Sequence, residues 1–250
     1  MKHILLSTIF CISCLLNLNA QQCSEFPIEI TSQEQIDNFT TTYPGCDHTQ
    51  TLRIEGNDIT NLLGLEVIKS VGELTIVNAP NLTSLEGMHE LNYAVNLVIQ
   101  HTGITSLDGL RNLDTIYFVG AINGNDQLVD LSGLEELEFA FALQLSDNQK
   151  MENLQGLTTL AEVQNLMIEY NPLLVNFTGI PALKKLDGLY VGNNDNLQDF
   201  AGLENIKRMR VGFEIIENPK LTSFHGLDAL TYVGKDILIE NNPLLPNMAG

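Results

Sequence analysis

The stretch Glu217–Leu245, ENPKLTSFHGLDALTYVGKDILIENNPLL, holds one complete structural unit and the start of the next. Read from Asn218, the unit runs Asn-Pro, Leu221, Phe224, Gly226-Leu227, Leu230, Val233-Gly234, Ile237 and Ile239. Asn242-Pro243 then begins it again. The same columns recur backward through the chain. The glycine returns as Gly64, Gly87, Gly109, Gly133, Gly156, Gly179, Gly202, Gly226 and Gly250, at intervals of 22 to 24 residues. Two positions before it stand Leu62, Leu85, Leu107, Leu131, Leu154, Phe177, Phe200, Phe224 and Met248, and four after it Ile68, Leu91, Leu113, Leu137, Leu160, Leu183, Ile206 and Leu230. Leucine at set offsets in a period of roughly 20–29 residues marks a solenoid.

Short alternating pairs identify the strand of each coil: Leu52/Ile54, Leu74/Ile76, Leu97/Ile99, Leu143/Leu145, Leu166/Ile168, Leu189/Val191, Phe213/Ile215 and Ile237/Ile239. Period-two apolar residues point inward, and stacked coils pair their strands in parallel. One coil cannot bury its own face, so its neighbours must cover it. The expected fold is mainly β: a right-handed parallel β-helix or leucine-rich-repeat-like solenoid of about 23-residue coils, with several narrow parallel sheets and an N-terminal helical cap. The coil at Ile116–Ile122 lacks the strand leucine, which predicts a local distortion there.

The amino terminus has a different character. Residues 1–20, MKHILLSTIFCISCLLNLNA, place Lys2 before an apolar run from Ile4 to Leu18 and end on small Ala20, the pattern of a secretory signal peptide. The run is shorter than the roughly 20 residues a spanning helix needs, so no transmembrane helix is expected in the mature chain. Cleavage after Ala20 leaves 11 basic against 31 acidic residues, a formal charge of -20. Such a surface disfavours nucleic acid as a partner. Export also permits a disulfide, and the two remaining cysteines, Cys23 and Cys46, are expected to pair. Residues 21–50 read as a cap. Ile28–Ile30 forms a short strand, Thr31 with Glu34 forms a capping box for one short helix, and Tyr43-Pro44-Gly45 ends it. Residues 51–250 read as the solenoid. Leu245 and Met248 set up a further coil, so the sequence predicts a chain truncated at its C-terminus, with possible further C-terminal domains.

The lead-in ITSQEQIDNF, a cysteine before LRIEGNDITNLLGLEVI and the recurring L-x-I-x-N-N-P-x-L-x-S-L-x-G-L resemble the receptor L-domain, a relative of leucine-rich repeats, over residues 28 to 250. In insulin- and epidermal-growth-factor-type receptors such domains bind ligand on a sheet face. Similar repeats occur in exported proteins of Bacteroidetes, which the Asn-Ala-Gln end of the leader resembles more than it does the fungal cell-wall members. No cysteine-rich module or kinase accompanies the repeats here, so receptor signalling does not carry over.

The clearest polar column holds Asn125, Asn148, Asn171, Asn194, Asn218 and Asn242, with Gly56, Ala79 and His101 in the earlier coils. Asparagine at a repeated turn bonds its own backbone and the next coil, so the expected role is a structural ladder. Asp126, Asp147 and Asp195 beside these turns lack a calcium-loop spacing, and the scattered histidines have no partner at metal-ligand spacing. No metal, cofactor or catalytic residue is therefore assigned. Along the strands, Met167, Tyr190, Ile216 and Leu238 read as an outward apolar stripe and a candidate partner-binding face. The expected function is a secreted or cell-surface, non-enzymatic recognition module that binds an unknown protein or glycan through the strand face. The alternatives are a structural spacer or adhesin segment of a larger surface protein, and a carbohydrate-active β-helix enzyme.

Overall fold

The computed structural model describes Cys23 and residues 27 to 246. The leader at 1–20 lies outside the described residues, as do Met248 and Gly250. The strands in chain order are β1 (Ile28–Ile30), β2 (His48–Glu55), β3 (Ser70–Ala79), β4 (Tyr93–Thr102), β5 (Thr115–Asn123), β6 (Phe139–Ser146), β7 (Glu162–Glu169), β8 (Lys185–Gly192), β9 (Arg208–Met209), β10 (Gly212–Ile216), β11 (Tyr232–Val233) and β12 (Ile237–Glu240). Ten of them form one parallel sheet in the order β1-β2-β3-β4-β5-β6-β7-β8-β10-β12, while β9 and β11 make a second, two-stranded sheet. The molecule is a mainly β, parallel-strand solenoid. The expectation of several narrow sheets reduces to these two because the other sides of each coil consist of turns, and left-handed glycine and asparagine conformations do not continue a strand.

Sheet register follows the repeat. Leu143 pairs with Leu166 and Leu145 with Ile168, and the next coil brings Leu189 and Val191 into the same two columns. All six of these side chains are buried. Each fully buried leucine-sized side chain contributes about 1.5–3 kcal/mol, but only once a neighbouring coil covers it. At the C-terminal end the columns are less covered: Phe224, Leu230, Val233, Ile239 and Leu245 are only partly buried.

The opposite end is closed by the cap. The helix begins one residue later than the sequence suggests: Ser32 is the N-cap, its hydroxyl accepting from the amide of Gln35, in place of Thr31 with Glu34. The Gln35 side chain in turn accepts from the amide of Thr31 at 2.6 Å. A short helix over Gln33–Asp37 and a single turn over Phe39–Thr42 bury Ile36 and Phe39 on the first coil. Gln33 accepts from the amides of Thr60 and Asn61, which stitches the cap to that coil. Cys23 and Cys46 are joined in a disulfide with their Cα atoms 5.8 Å apart, and both are buried.

Two further columns set the turns. At Gly156, φ is +107°, and a Cβ would overlap the Leu131 carbonyl of the preceding coil. The same overlap recurs at Gly87, Gly179, Gly202 and Gly226, so this column is glycine because backbone passes against backbone. The second column is the asparagine turn. The amide of Asn125 donates to Oδ1 of Asn148 at 3.0 Å, and Asn148, Asn171, Asn194 and Asn218 each pass the bond on to the next member, ending at Asn242. Each side-chain amide bonds back: Nδ2 of Asn171 donates to the carbonyls of Leu145 and Glu169 at 2.9 and 3.0 Å. Asn125 through Asn218 are buried and satisfied on both ends of the amide. The N-terminal end of this ladder is Thr102, whose amide and hydroxyl both donate to Asn125 Oδ1. Counting back from the glycine puts His101 in the column. The structure puts Thr102 there, because that coil is one residue shorter, and His101 takes the left-handed position before it with φ 53°.

Candidate functional site

With the inside of the coil given over to repeated columns, any difference between coils must lie outside. Unlike β8, where the equivalent Asp187 and Gly188 are buried, strands β2 to β7 have a bend built into the outer face of the sheet. Between two buried residues stand two successive residues that are not buried: Gln50/Thr51, Val95/Asn96, Phe141/Ala142 and Gln164/Asn165. Strand β5 has three at this point, Tyr117, Phe118 and Val119, and the register slips on both of its neighbours between Ile116 and Val119. This bulge is the distortion of the irregular coil. Its extra residue is accommodated because Gly120 fills the column held by Leu97 and Leu143, where a Cβ would press on the Ile116 and Leu143 methyls.

The bulge pushes two aromatic rings outward. Tyr117 is 59% exposed and Phe118 51%, and Phe118 stacks on Phe141 with ring centroids 5.5 Å apart. In the row just before the bend Tyr93, Thr115 and Phe139 lie side by side by register, and both aromatics of that row are half-buried. The middle coils therefore carry an aromatic ridge. The signal for it in the sequence is the dense run Tyr117-Phe118 with Phe139 and Phe141 one coil later. It is hidden by the one-residue insertion, which puts these residues out of step with the repeat.

The stripe of Met167, Tyr190, Ile216 and Leu238 is placed differently from its reading in sequence. Met167 pairs with Tyr190, Tyr190 with Glu214 and Glu214 with Leu238, so Glu214 occupies the position expected of an apolar residue. Ile216 belongs to the next row, between Gly192 and Glu240. All four side chains are half-buried. Tyr190 lies down over Gly192, where a Cβ would stand 3.1 Å from its hydroxyl oxygen. Burial and the nearby Glu169 carboxylate raise the Tyr190 phenol above its ordinary value. Beside Met167 and Tyr190, Gly188 and Gly212 leave a shallow depression of about 250 Å³ walled by Asn165 and Val211.

Past Phe139 the row before the bend continues through Glu162 to Lys185, and its character turns from aromatic to charged. Among the described residues no helix is long and apolar enough to cross a membrane, and no cluster of side chains is arranged to hold a metal ion.

Coils of 22 to 24 residues, one inward-facing parallel strand per coil and an asparagine-turn ladder define a leucine-rich-repeat-like solenoid. No family model matches the chain, and no curated protein matches it. Among solved structures it is similar to the leucine-rich repeat domain of the type III effector XopL, at 14% identity over 92% of this chain and 81% of that one, with a TM-score of 0.45.

Proposed function

We propose that the chain is a non-enzymatic, exported recognition module of the receptor L-domain kind, which binds a protein or glycan partner through the outer face of its large sheet. The observation that carries this reading is the ridge of Tyr117 and Phe118, exposed yet held in place by a bulge and by stacking on Phe141. Large aromatic rings dominate binding energy at interfaces, and rings already fixed by a rigid sheet lose little freedom on binding. The depression beside Met167 and Tyr190 adds a second, shallower contact on the same sheet. Export rests on the leader at 1–20 and accords with the buried Cys23–Cys46 bridge.

The test is a screen of the chain from residue 21 onward against arrays of extracellular proteins and glycans, with each saturable hit repeated on two variants. Phe118→Ser with Tyr117→Ser is expected to weaken binding at least about tenfold while leaving the unfolding midpoint in place, since both rings are exposed. Met167→Ala with Tyr190→Ala is expected to have the smaller effect. Hits that survive both pairs at full affinity would refute the sheet face as the binding surface.

A further inference from the structure

The chain has 12 basic residues against 31 acidic ones, yet five of the 12 gather at one place. Lys184, Lys185, Lys207, Arg208 and Arg210 line a concavity of about 520 Å³ together with Asp187. This is not a property of the repeat. The position before the strand that holds Lys184 and Lys207 is filled by Asp114 and Glu138 in the middle coils, where backbone bonds run Glu138 to Asp114 and Ala161 to Glu138 before reaching Lys184.

Cations stacked one coil apart repel one another, and here several are fixed in place despite that. Arg210 is gripped by the nearly buried Asp187, its Nε and Nη2 donating at 2.8 and 2.6 Å to the two carboxylate oxygens. Arg208 lies over the Tyr232 ring at 4.4 Å from its centroid. Lys185 pairs with Glu162. Among the described residues, neither Lys184, Lys207 nor Arg208 stands within ion-pair distance of a carboxylate. The cluster thus holds five positive charges against the two negative charges of Asp187 and Glu162, and two guanidinium planes are already oriented.

We propose that this concavity is a binding site for a compact multivalent anion, a ligand or ligand terminus carrying phosphate or sulfate groups. A planar guanidinium with flanking lysines matches a tetrahedral oxyanion in charge and in donor geometry. Compactness follows from the rest of the surface. Charges farther than a Debye length of about 8 Å are screened, so a small anion inside the cluster feels mainly the cations, whereas a long polyanion would have to run on over acidic coils. The site stands at the C-terminal side of the sheet, on side chains separate from the aromatic ridge, so it holds or fails independently of the partner proposed above.

Calorimetric titration of the chain from residue 21 onward with inorganic pyrophosphate, with a sulfated disaccharide and with a long polysulfated polysaccharide tests it, at low and at physiological salt. The expected result is saturable binding of pyrophosphate or of the disaccharide, the better of the two identifying the group the site prefers. Lys184→Ala with Lys207→Ala should weaken that binding about tenfold or more, and both lysines are exposed, so the unfolding midpoint should not move. Arg208→Ala serves as an independent second variant with the same expectation. Binding of neither compact probe, undiminished binding by both variants, or tighter binding of the long chain than of either compact anion would each overturn the proposal.

Discussion

The inside of this solenoid and its outer bend are made from the same strands, yet they obey opposite rules. Inside, the columns repeat from coil to coil, Gly120 being an exception: leucine or its equivalents at Leu143, Leu166 and Leu189, glycine at Gly133, Gly156 and Gly179, asparagine from Asn125 to Asn218. At the bend the equivalent positions run Gln50, Gly72, Val95, Phe118, Phe141 and Gln164, and apart from the stacked Phe118 and Phe141 no neighbouring pair agrees. Inner columns are constrained by contact with their own copies one coil away, so a single misfit damages two coils. Outer positions touch solvent and are free to diverge, and the recognition proposed above draws on that freedom.

The sharpest way to break the inner order is at the glycine column. Gly156→Ala adds a Cβ at φ +107° that overlaps backbone of the preceding coil, which has no side-chain freedom with which to yield. The expected loss is about 3 kcal/mol or more, read as a fall in the urea midpoint. Gly45→Ala is the control: φ is +77° there too, but nothing lies within 4 Å of the added carbon. Only the left-handed strain of about 1 kcal/mol should remain. Equal losses at the two sites would show that conformation, and not backbone contact, keeps the column glycine.

Next in size is the ladder. Asn171→Ala strands the buried amide of Asn148 and takes a donor from the carbonyls of Leu145 and Glu169, the latter keeping its bond from the amide of Asp147, at a cost of about 2–3 kcal/mol. Asn242→Ala at the half-buried end of the ladder should cost less, because water reaches the groups it abandons. Thermal unfolding of the pair ranks them.

This contrast explains what could be read from the sequence. Columns that repeat every 22 to 24 residues announce themselves, and strand, turn and core follow from counting. Thr31 and Ser32 are both capable N-caps, and the structure uses Ser32, with the Gln33 that follows it accepting from the amides of Thr60 and Asn61 on the first coil. The rows of the outer stripe depend on the stacked coils for a related reason. Alternation tells inward from outward but not which outward row a residue joins, and Ile216 has Gly192, not Tyr190, as its neighbour across the sheet. The aromatic ridge escaped because an inserted residue in β5 breaks the count, and the basic concavity because its residues lie about 23 apart in sequence, as Lys184 and Lys207 do, and become neighbours only when coils are stacked.

The smallest effect concerns the outer side of the sheet, where the Arg210–Asp187 ion pair joins two coils. Arg210 donates to Asp187 and keeps that carboxyl below the usual carboxylate range, against the desolvation that would raise it. A carboxyl depressed in the folded state contributes stability above its unfolded value of about 4, and the contribution disappears as pH falls through the lower folded value. Asp187→Asn keeps the shape and removes the charge. It should unfold at a somewhat lower temperature than the parent at neutral pH, by less than Asn171→Ala does, because Arg210 is 60% exposed and water screens the pair. As the pH is lowered below about 4 the two melting curves should converge, since the parent then loses by protonation what the variant has already lost. Parallel curves down to the acid limit would mean that Asp187 stabilises the outer side through shape alone, and that this side, like the core, depends on fit more than on charge.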